Sequence, residues 1–315
     1  MTNDDFVILT GTSNLDLARK VGNLLNKKVH ETVSHFADGE IRVIIPENIR
    51  RKKVFILQST CPPVDSNLTE LLLMVDAARR ASASEITTVI PYFGYSRQDR
   101  KEQPRVPVSA ALVADLIEHS GASRIVTVDI HSQSQQGFVK IPWDDLYASY
   151  SLIPVLKSQF QDNKNLVIAS PDKGGVLRAT AYAELLNANG VAIVYKERDI
   201  KQKNISASLD LIGDVNNKDV LLVDDMIDTA GTLTGAVELL NKRGAKSISA
   251  AVTHGLFSPP GIERIKKSVL KEIFITDTIP QKSDRKIQVV SIAKLLAEAI
   301  KCISSGESIS KKLYQ

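Results

Sequence analysis

Short runs of aliphatic and β-branched residues, followed by longer stretches with apolar residues at helical spacing, recur along all 315 residues of the chain. That alternation restricts the architecture to a mostly parallel sheet covered by helices, because two parallel strands need a crossover long enough to hold a helix. The class is α/β. In the first half, 6–9, 41–45, 54–58, 86–90 and 125–128 are predicted strands. Residues 14–25 and 68–78 are predicted helices, the first with Asn14 as N-cap after a Gly-Thr-Ser turn. The pattern then restarts, with predicted strands at 166–169, 192–195, 220–223, 248–252, 273–276 and 289–292. Two tandem domains are expected, 1–147 and 148–315, the second carrying a C-terminal helix.

Composition removes several classes. At 43% hydrophobic and 24% charged the chain is ordinary globular protein, neither disordered nor fibrous. Forty basic against 36 acidic residues leave +4, too slight for a dedicated nucleic-acid binder, so no nucleic-acid partner is expected. No apolar run approaches the roughly 18 to 20 residues of a membrane helix, and residues 1–10 lack the pattern of an export signal. No membrane partner and a cytoplasmic location follow as expectations. Cys61 and Cys302 are the two cysteines, which offers neither a disulfide framework nor a Cys-x-x-Cys pair. No Gly-x-Gly occurs and no Gly precedes a Lys, so a nucleotide cannot be held by a Rossmann fingerprint or a P-loop.

The strongest local chemistry follows the run at 220–223. Asp224-Asp225-Met226-Ile227-Asp228-Thr229-Ala230-Gly231-Thr232 comes directly after it, and helical spacing begins near Leu233. The carboxyl end of a parallel strand is where open α/β sheets bind ligands. A helix start offers unpaired N–H groups and a partial positive charge, and Thr229, Gly231 and Thr232 add hydroxyls and close backbone approach suited to a phosphate. Asp224 and Asp225 suit vicinal hydroxyls. A sugar phosphate satisfies both halves. The plainer alternative is that Asp228 or Thr229 merely N-caps the helix among solvated acids. Three acids at one strand end, however, repel one another unless something compensates them.

The run 223–232 resembles the signature of type I phosphoribosyltransferase folds. Three more segments narrow the resemblance: Phe36-Ala37-Asp38-Gly39-Glu40, the stretch from Pro91 through Arg97-Gln98-Asp99-Arg100, and Ser170-Pro171-Asp172-Lys173-Gly174-Gly175. Together they are similar to the ribose-phosphate pyrophosphokinase family, also called phosphoribosyl pyrophosphate synthetases. The resemblance implies two phosphoribosyltransferase-like domains, the first on the ATP side and the second on the ribose 5-phosphate side. It also implies transfer of the β,γ-diphosphoryl group of MgATP to the C1 hydroxyl of ribose 5-phosphate, releasing AMP, by a homo-oligomer, commonly a hexamer.

Matched position by position, the resemblance implies that Asp228, Thr229, Ala230, Gly231 and Thr232 hold the 5-phosphate and that Asp224 and Asp225 hold the ribose hydroxyls. Phe36, Asp38, Gly39 and Glu40 match the adenine-side motif, where an aromatic face can stack on a purine. Arg97 and Gln98 match ATP-binding positions; a guanidinium fork suits phosphate oxygens. His131 and Asp172 match magnesium-linked positions, Asp172 being the more natural partner of a hard cation. Lys196 and Arg198 match the catalytic cations, which would stabilise charge developing during phosphoryl transfer. The segment between Arg198 and Leu211 is long enough for a loop or hairpin. Lys140 departs from the family, which usually carries an acid there beside an accessory metal, with Asp129, His131 and Asp144 remaining. A non-catalytic regulatory subunit and a base phosphoribosyltransferase are the rival readings. The retained Lys196, Arg198, Asp172 and Asp224 oppose the first, and the adenine-side and Arg97-Gln98 segments oppose the second.

Overall fold

The computed structural model describes residues 6–161, 164–197, 208–281 and 285–313. The chain forms two compact units. One takes in the chain up to Tyr150 together with Thr278–Pro280 and the segment from Ser291 onward; the other comprises Ser151–Asp277 and Gln281–Val290. Each has its own sheet and core.

The first unit begins β1 (Phe6–Thr10), α1 (Leu15–Leu25), β2 (Val29–Glu31), β3 (Val33–His35), β4 (Ile41–Val43), β5 (Lys53–Leu57) and α2 (Val64–Arg80). It continues with β6 (Glu85–Ile90), α3 (Ser109–Ser120), β7 (Arg124–Val128) and β8 (Trp143–Leu146). Six strands pair in the order β2-β1-β5-β6-β7-β8, all parallel. The predicted N-cap holds: Asn14 Oδ1 accepts the Leu17 N–H at 3.2 Å. At the other end of α1, Asn26 adopts the left-handed conformation (φ 52°) that stops a helix. The run at 41–45 does not join the sheet. Its core, β4, pairs antiparallel with β3 as a separate two-stranded ribbon. Val33, Val43 and Ile45 pack against the core on one side of that ribbon, while Ser34 and Arg42 between them are exposed, so half-burial suffices without sheet pairing.

The second unit contains α4 (Ser149–Gln159), β9 (Leu166–Ser170), α5 (Val176–Leu186), β10 (Gly190–Glu197), β11 (Ser208–Ile212) and β12 (Asp219–Ile227). Then come α6 (Gly231–Lys242), β13 (Ser247–Gly255), α7 (Gly261–Lys267), β14 (Ile273–Thr276) and β15 (Ile287–Val290). The sheet order is β11-β10-β9-β12-β13-β14-β15, parallel throughout except for the edge hairpin β10–β11. The chain ends in α8 (Ala293–Ser305) and α9 (Ile309–Leu313). Although α8 falls within the expected domain 148–315, it clusters with the first unit. Its apolar stripe, including Leu295, Leu296, Ala299 and Ile300, is buried, α1 is its main neighbour, and the Lys53 ammonium donates to the Ser304 carbonyl at 3.2 Å.

Each sheet has one place where consecutive crossovers depart in opposite directions. In the first it lies between β1 and β5, in the second between β9 and β12. Crevices outside the carboxyl ends of such strand pairs are the ligand sites of open α/β sheets.

Candidate active site

In the second unit, β12 runs further than its apolar sequence indicates. Asp224 remains in register with Val252 of β13, and Met226 and Ile227 with His254 and Gly255, so the two acids are strand residues and not part of a loop. The Asp225 N–H donates to Asp224 Oδ1 at 2.9 Å, and the Met226 N–H donates to Asp225 Oδ1 at 3.0 Å. Arg178 of α5 faces both, its Nη1 3.8 Å from Asp224 Oδ1 and 3.7 Å from Asp225 Oδ1. Burial first, and then the neighbouring charge of Asp225, pushes the Asp224 carboxyl up to about 8 against the pull of Arg178.

The strand stops at Ile227, and α6 starts at Gly231, two residues earlier than the helical spacing suggests. Its N-cap is Ala230, held left-handed at φ 60° with no side-chain cap hydrogen bond. The N-cap position thus falls on Ala230 and not on Asp228 or Thr229. Thr229, Gly231 and Thr232 are exposed at this helix start. The turn is braced from α7. Arg264 Nη1 donates to the Thr229 carbonyl at 3.0 Å, and Gly261 packs so close that a Cβ there would lie 2.7 Å from the Asp228 carbonyl oxygen.

Across the switch point, Asp172 follows β9. Its Oδ1 accepts the Gly174 and Gly175 N–H groups at 2.8 and 3.1 Å, which fixes the carboxylate at an exposed turn. Lys196 lies on β10, next to β9, opposite Leu209 of β11. It therefore sits toward the same carboxyl edge as Asp172 and the Asp224 to Thr232 segment; its side chain, and Arg198 altogether, lie outside the described residues.

The nucleotide-side candidates occupy the first unit. Phe36, Asp38, Gly39 and Glu40 form the exposed turn of the β3–β4 ribbon, closed by Phe36 N–H to Glu40 O at 2.9 Å and Gly39 N–H to Phe36 O at 3.0 Å. Gly39 takes φ 94°, which other residues rarely adopt, and Asp38 Oδ1 accepts the Glu40 N–H at 3.0 Å. Phe36 is 50% exposed, with the Arg42 guanidinium 5.5 Å from its ring centroid, so it is not a core residue. Arg97 and Gln98 lie on a different element, the loop between β6 and α3. There Gln98 Oε1 accepts from the Ser109 hydroxyl at 2.7 Å and Arg97 is exposed.

His131 is exposed just beyond β7, after Asp129 in the left-handed conformation (φ 44°). Asp145 of β8 organises that turn. Its carboxylate accepts from Thr127 Oγ1 (2.7 Å), the Ile130 N–H (3.0 Å) and Gln133 Nε2 (2.6 Å). Burial, with the charge of Asp129, pushes it up to about 7 in spite of these donors. Asp144 instead pairs with Arg124, and the Lys140 N–H meets Glu118 at 3.2 Å. Among the described residues no group of three or more His, Cys, Asp or Glu is placed to hold a metal ion.

Sequence reasoning missed Arg178, Arg264 and Asp145. One signal was available for Arg178: it is the third residue of α5, and a cation in the first helical turn opposes the helix dipole unless something else holds it there.

Residues 6–121 match the N-terminal domain of ribose phosphate pyrophosphokinase, and residues 200–314 match the phosphoribosyl synthetase-associated domain. The chain is 49% identical over 311 residues to the ribose-phosphate pyrophosphokinase of Caldanaerobacter subterraneus subsp. tengcongensis, covering 96% of each chain. It belongs to the ribose-phosphate pyrophosphokinase family. The Campylobacter jejuni member is 46% identical, covering 97% of this chain and 98% of that one. The crystal structure of phosphoribosylpyrophosphate synthetase from Mycobacterium smegmatis superposes with a TM-score of 0.90 at 37% identity, covering 96% of this chain and 100% of that chain.

Proposed function

We infer that this family member catalyses the pyrophosphokinase reaction itself: it moves the β,γ-diphosphoryl group of ATP to the C1 hydroxyl of ribose 5-phosphate. The C1 oxygen forms a bond to the β-phosphorus, the bond from that phosphorus to the α,β-bridging oxygen breaks, the C1 hydroxyl loses its proton and AMP leaves. The observation carrying this reading is the β12–α6 segment, where two carboxylates lie near the end of a strand and a helix whose N-cap residue is alanine follows within one short turn. Carboxylates accept from sugar hydroxyls, and N–H groups at a helix start accept an anion in the sense of P-loop chemistry without the P-loop sequence. Asp224 and Asp225 take the ribose hydroxyls; Asp228, Thr229, Ala230, Gly231 and Thr232 take the 5-phosphate. Family membership over 96% of the chain supports the same assignment. A non-catalytic regulatory role is not favoured.

On the nucleotide side, Phe36 supplies an exposed aromatic face, Asp38, Gly39 and Glu40 supply polar groups in a fixed turn, and Arg97 and Gln98 meet the polyphosphate. Lys196 and Arg198 are assigned the charge that develops on the transferring group. Mg²⁺ is the proposed cofactor. The donors fit: a hard, strongly hydrated ion carried on a polyphosphate takes only one or two protein ligands, and Asp172 is an exposed carboxylate already oriented by two amides. Asp172 would hold it directly or through water, and His131 through water or phosphate. Such an ion supplies charge neutralisation on the phosphoryl oxygens. We further take the protein to be cytoplasmic and homo-oligomeric, a hexamer by family resemblance. Leu112 and Leu116, 57% and 42% exposed one turn apart on α3, offer apolar surface for a subunit contact. No helix of the described residues is long and apolar enough to cross a membrane.

Incubation of purified protein with ribose 5-phosphate and MgATP, with AMP release followed against a sugar-free control, tests the assignment. Sugar-dependent AMP release is expected. Equal release without sugar, or none across varied phosphate and Mg²⁺, overturns it.

A further inference from the structure

Arg178 stands where a cation is unfavourable for its own helix, in the first turn of α5, and it faces two carboxylates that compensate it. Its side chain is 24% exposed, and Nη1 lies 3.8 Å and 3.7 Å from the nearer oxygens of Asp224 and Asp225, whose side chains are 21% and 11% exposed. These separations exceed hydrogen-bond length but leave little room for screening water. Other charged or titratable groups on the elements packed around the pair are Tyr182 and Glu184 further along α5, Asp172 and Lys173 on the β9–α5 turn, Asp219 at the start of β12, Asp228 beyond it and His254 on β13. Acids predominate among them. Lys173, the other lysine or arginine in that set, lies with its ammonium 5.4 Å from the Tyr195 ring centroid.

We propose that Arg178 is a positioning residue of the sugar site: its guanidinium faces Asp224 and Asp225, favours their ionised form against burial and mutual repulsion, and holds them aligned to accept from the ribose hydroxyls. The inference rests on the assignment of that acidic pair to the sugar. Its physical content is a balance of opposing effects. Burial and mutual repulsion favour a proton on the pair, and Arg178 opposes both. A protonated carboxyl loses half of its acceptor character and gains a donor that the sugar does not need. Losing the cation therefore raises the pH at which the pair becomes fully ionised, and each unit of that rise costs about tenfold in the ionised fraction near pH 7.

The test measures KM for ribose 5-phosphate and for ATP between about pH 6.5 and about pH 9.5 in the wild type, Arg178→Gln, Arg178→Lys and Asp224→Asn. For Arg178→Gln the expected result is a KM for ribose 5-phosphate raised about tenfold near pH 7, a KM for ATP within about twofold of wild type, and a defect that shrinks as pH rises. Arg178→Lys should recover part of the loss, as a point charge without the fork. A defect that is constant with pH, or falls equally on both substrates, overturns the proposal, since a residue that merely packed the helix would act that way. If Arg178→Gln does not fold, Arg178→Lys carries the same comparison, with a smaller defect that must still shrink toward alkaline pH. Calorimetry of ribose 5-phosphate binding separates the two readings. Unchanged binding in Asp224→Asn refutes the sugar-site assignment, whereas weakened binding there with none in Arg178→Gln refutes the role of Arg178 alone.

Discussion

Replacing Gly261 by alanine should displace the proposed phosphate turn without removing any group that meets the ligand. A Cβ at this position would lie 2.7 Å from the Asp228 carbonyl oxygen and 3.5 Å from the Thr229 carbonyl carbon. Separations below 3.0 Å are not sustained, and both neighbours are backbone atoms that cannot rotate away. Reaching an acceptable 3.0 to 3.4 Å requires the start of α7 and the Asp228 peptide to part by roughly 0.3 to 0.7 Å. Overpacking of that kind costs about 1 to 3 kcal/mol of stability. A site misplaced by about 1 Å loses on the order of 100-fold in rate, so half that shift predicts about tenfold in kcat/KM for ribose 5-phosphate, or about 1.4 kcal/mol. KM for ATP should stay within about twofold, because the nucleotide-side residues sit on other elements. AMP release with each substrate varied in turn, together with urea unfolding of the same variant, measures both effects. A lowered unfolding midpoint with unchanged ribose 5-phosphate kinetics would falsify the assignment of this turn to the phosphate.

Three further outcomes follow from the geometry. Arg264→Ala removes the donor to the Thr229 carbonyl and should raise KM for ribose 5-phosphate about fivefold, equivalent to one exposed hydrogen bond of about 1 kcal/mol, as read by the same assay. Asp145, pushed up to about 7 when folded, favours folding most below the unfolded carboxylate range, and that contribution is lost as pH rises through 7. Urea unfolding at about pH 5 and about pH 8 should therefore show Asp145→Asn losing less stability over that interval than wild type, by on the order of 2 kcal/mol; parallel profiles would contradict it. Lys196→Ala should cut turnover by orders of magnitude while ATP affinity, measured by equilibrium binding, changes little.

The α/β class was legible because most sheet strands contain an unbroken buried stretch of four or more residues, which leaves a continuous apolar run to read: 54–57 and 220–223 are examples. Short strands escaped. Val29–Glu31 and Trp143–Leu146 carry too few apolar residues for any periodicity, and their pairing is imposed by the neighbours β1 and β7. The acids ending β12 read as a loop because charge normally marks one; only the pairing with β13 through His254 and Gly255 shows otherwise. Local chemistry at the site was visible because it is contiguous in sequence, from Asp224 to Thr232. Its supports were not, since Arg264 acts on Thr229 from 35 residues away, through chain reversals that no local pattern encodes. The same holds for α8, whose apolar stripe was readable but whose partner, α1, lies at the opposite end of the chain.

The two units repeat one switch-point topology but line its crevice differently. In the first unit the crevice between β1 and β5 is filled by the protein's own side chains. Glu70 accepts the Thr12 N–H and hydroxyl at 2.8 and 2.7 Å and the Gln58 amide at 2.8 Å, and Gln58 Oε1 accepts the Ser13 hydroxyl at 2.9 Å. Glu70 and Gln58 are each 1% exposed, and a Cβ on Gly11 would come within 2.6 Å of both, so the turn closes only around glycine. A buried carboxylate thus takes the place an anion would occupy before α1, whose start is already capped by Asn14. In the corresponding crevice of the second unit, between β9 and β12, the turn into α6 ends in a left-handed alanine that makes no side-chain cap, and Thr229, Gly231 and Thr232 stay exposed. The switch-point crevice is thus lined by mutually bonded buried side chains in the first unit and by exposed residues in the second. The proposed nucleotide-side residues accordingly lie away from β1 and β5, on the β3–β4 turn and the β6–α3 loop.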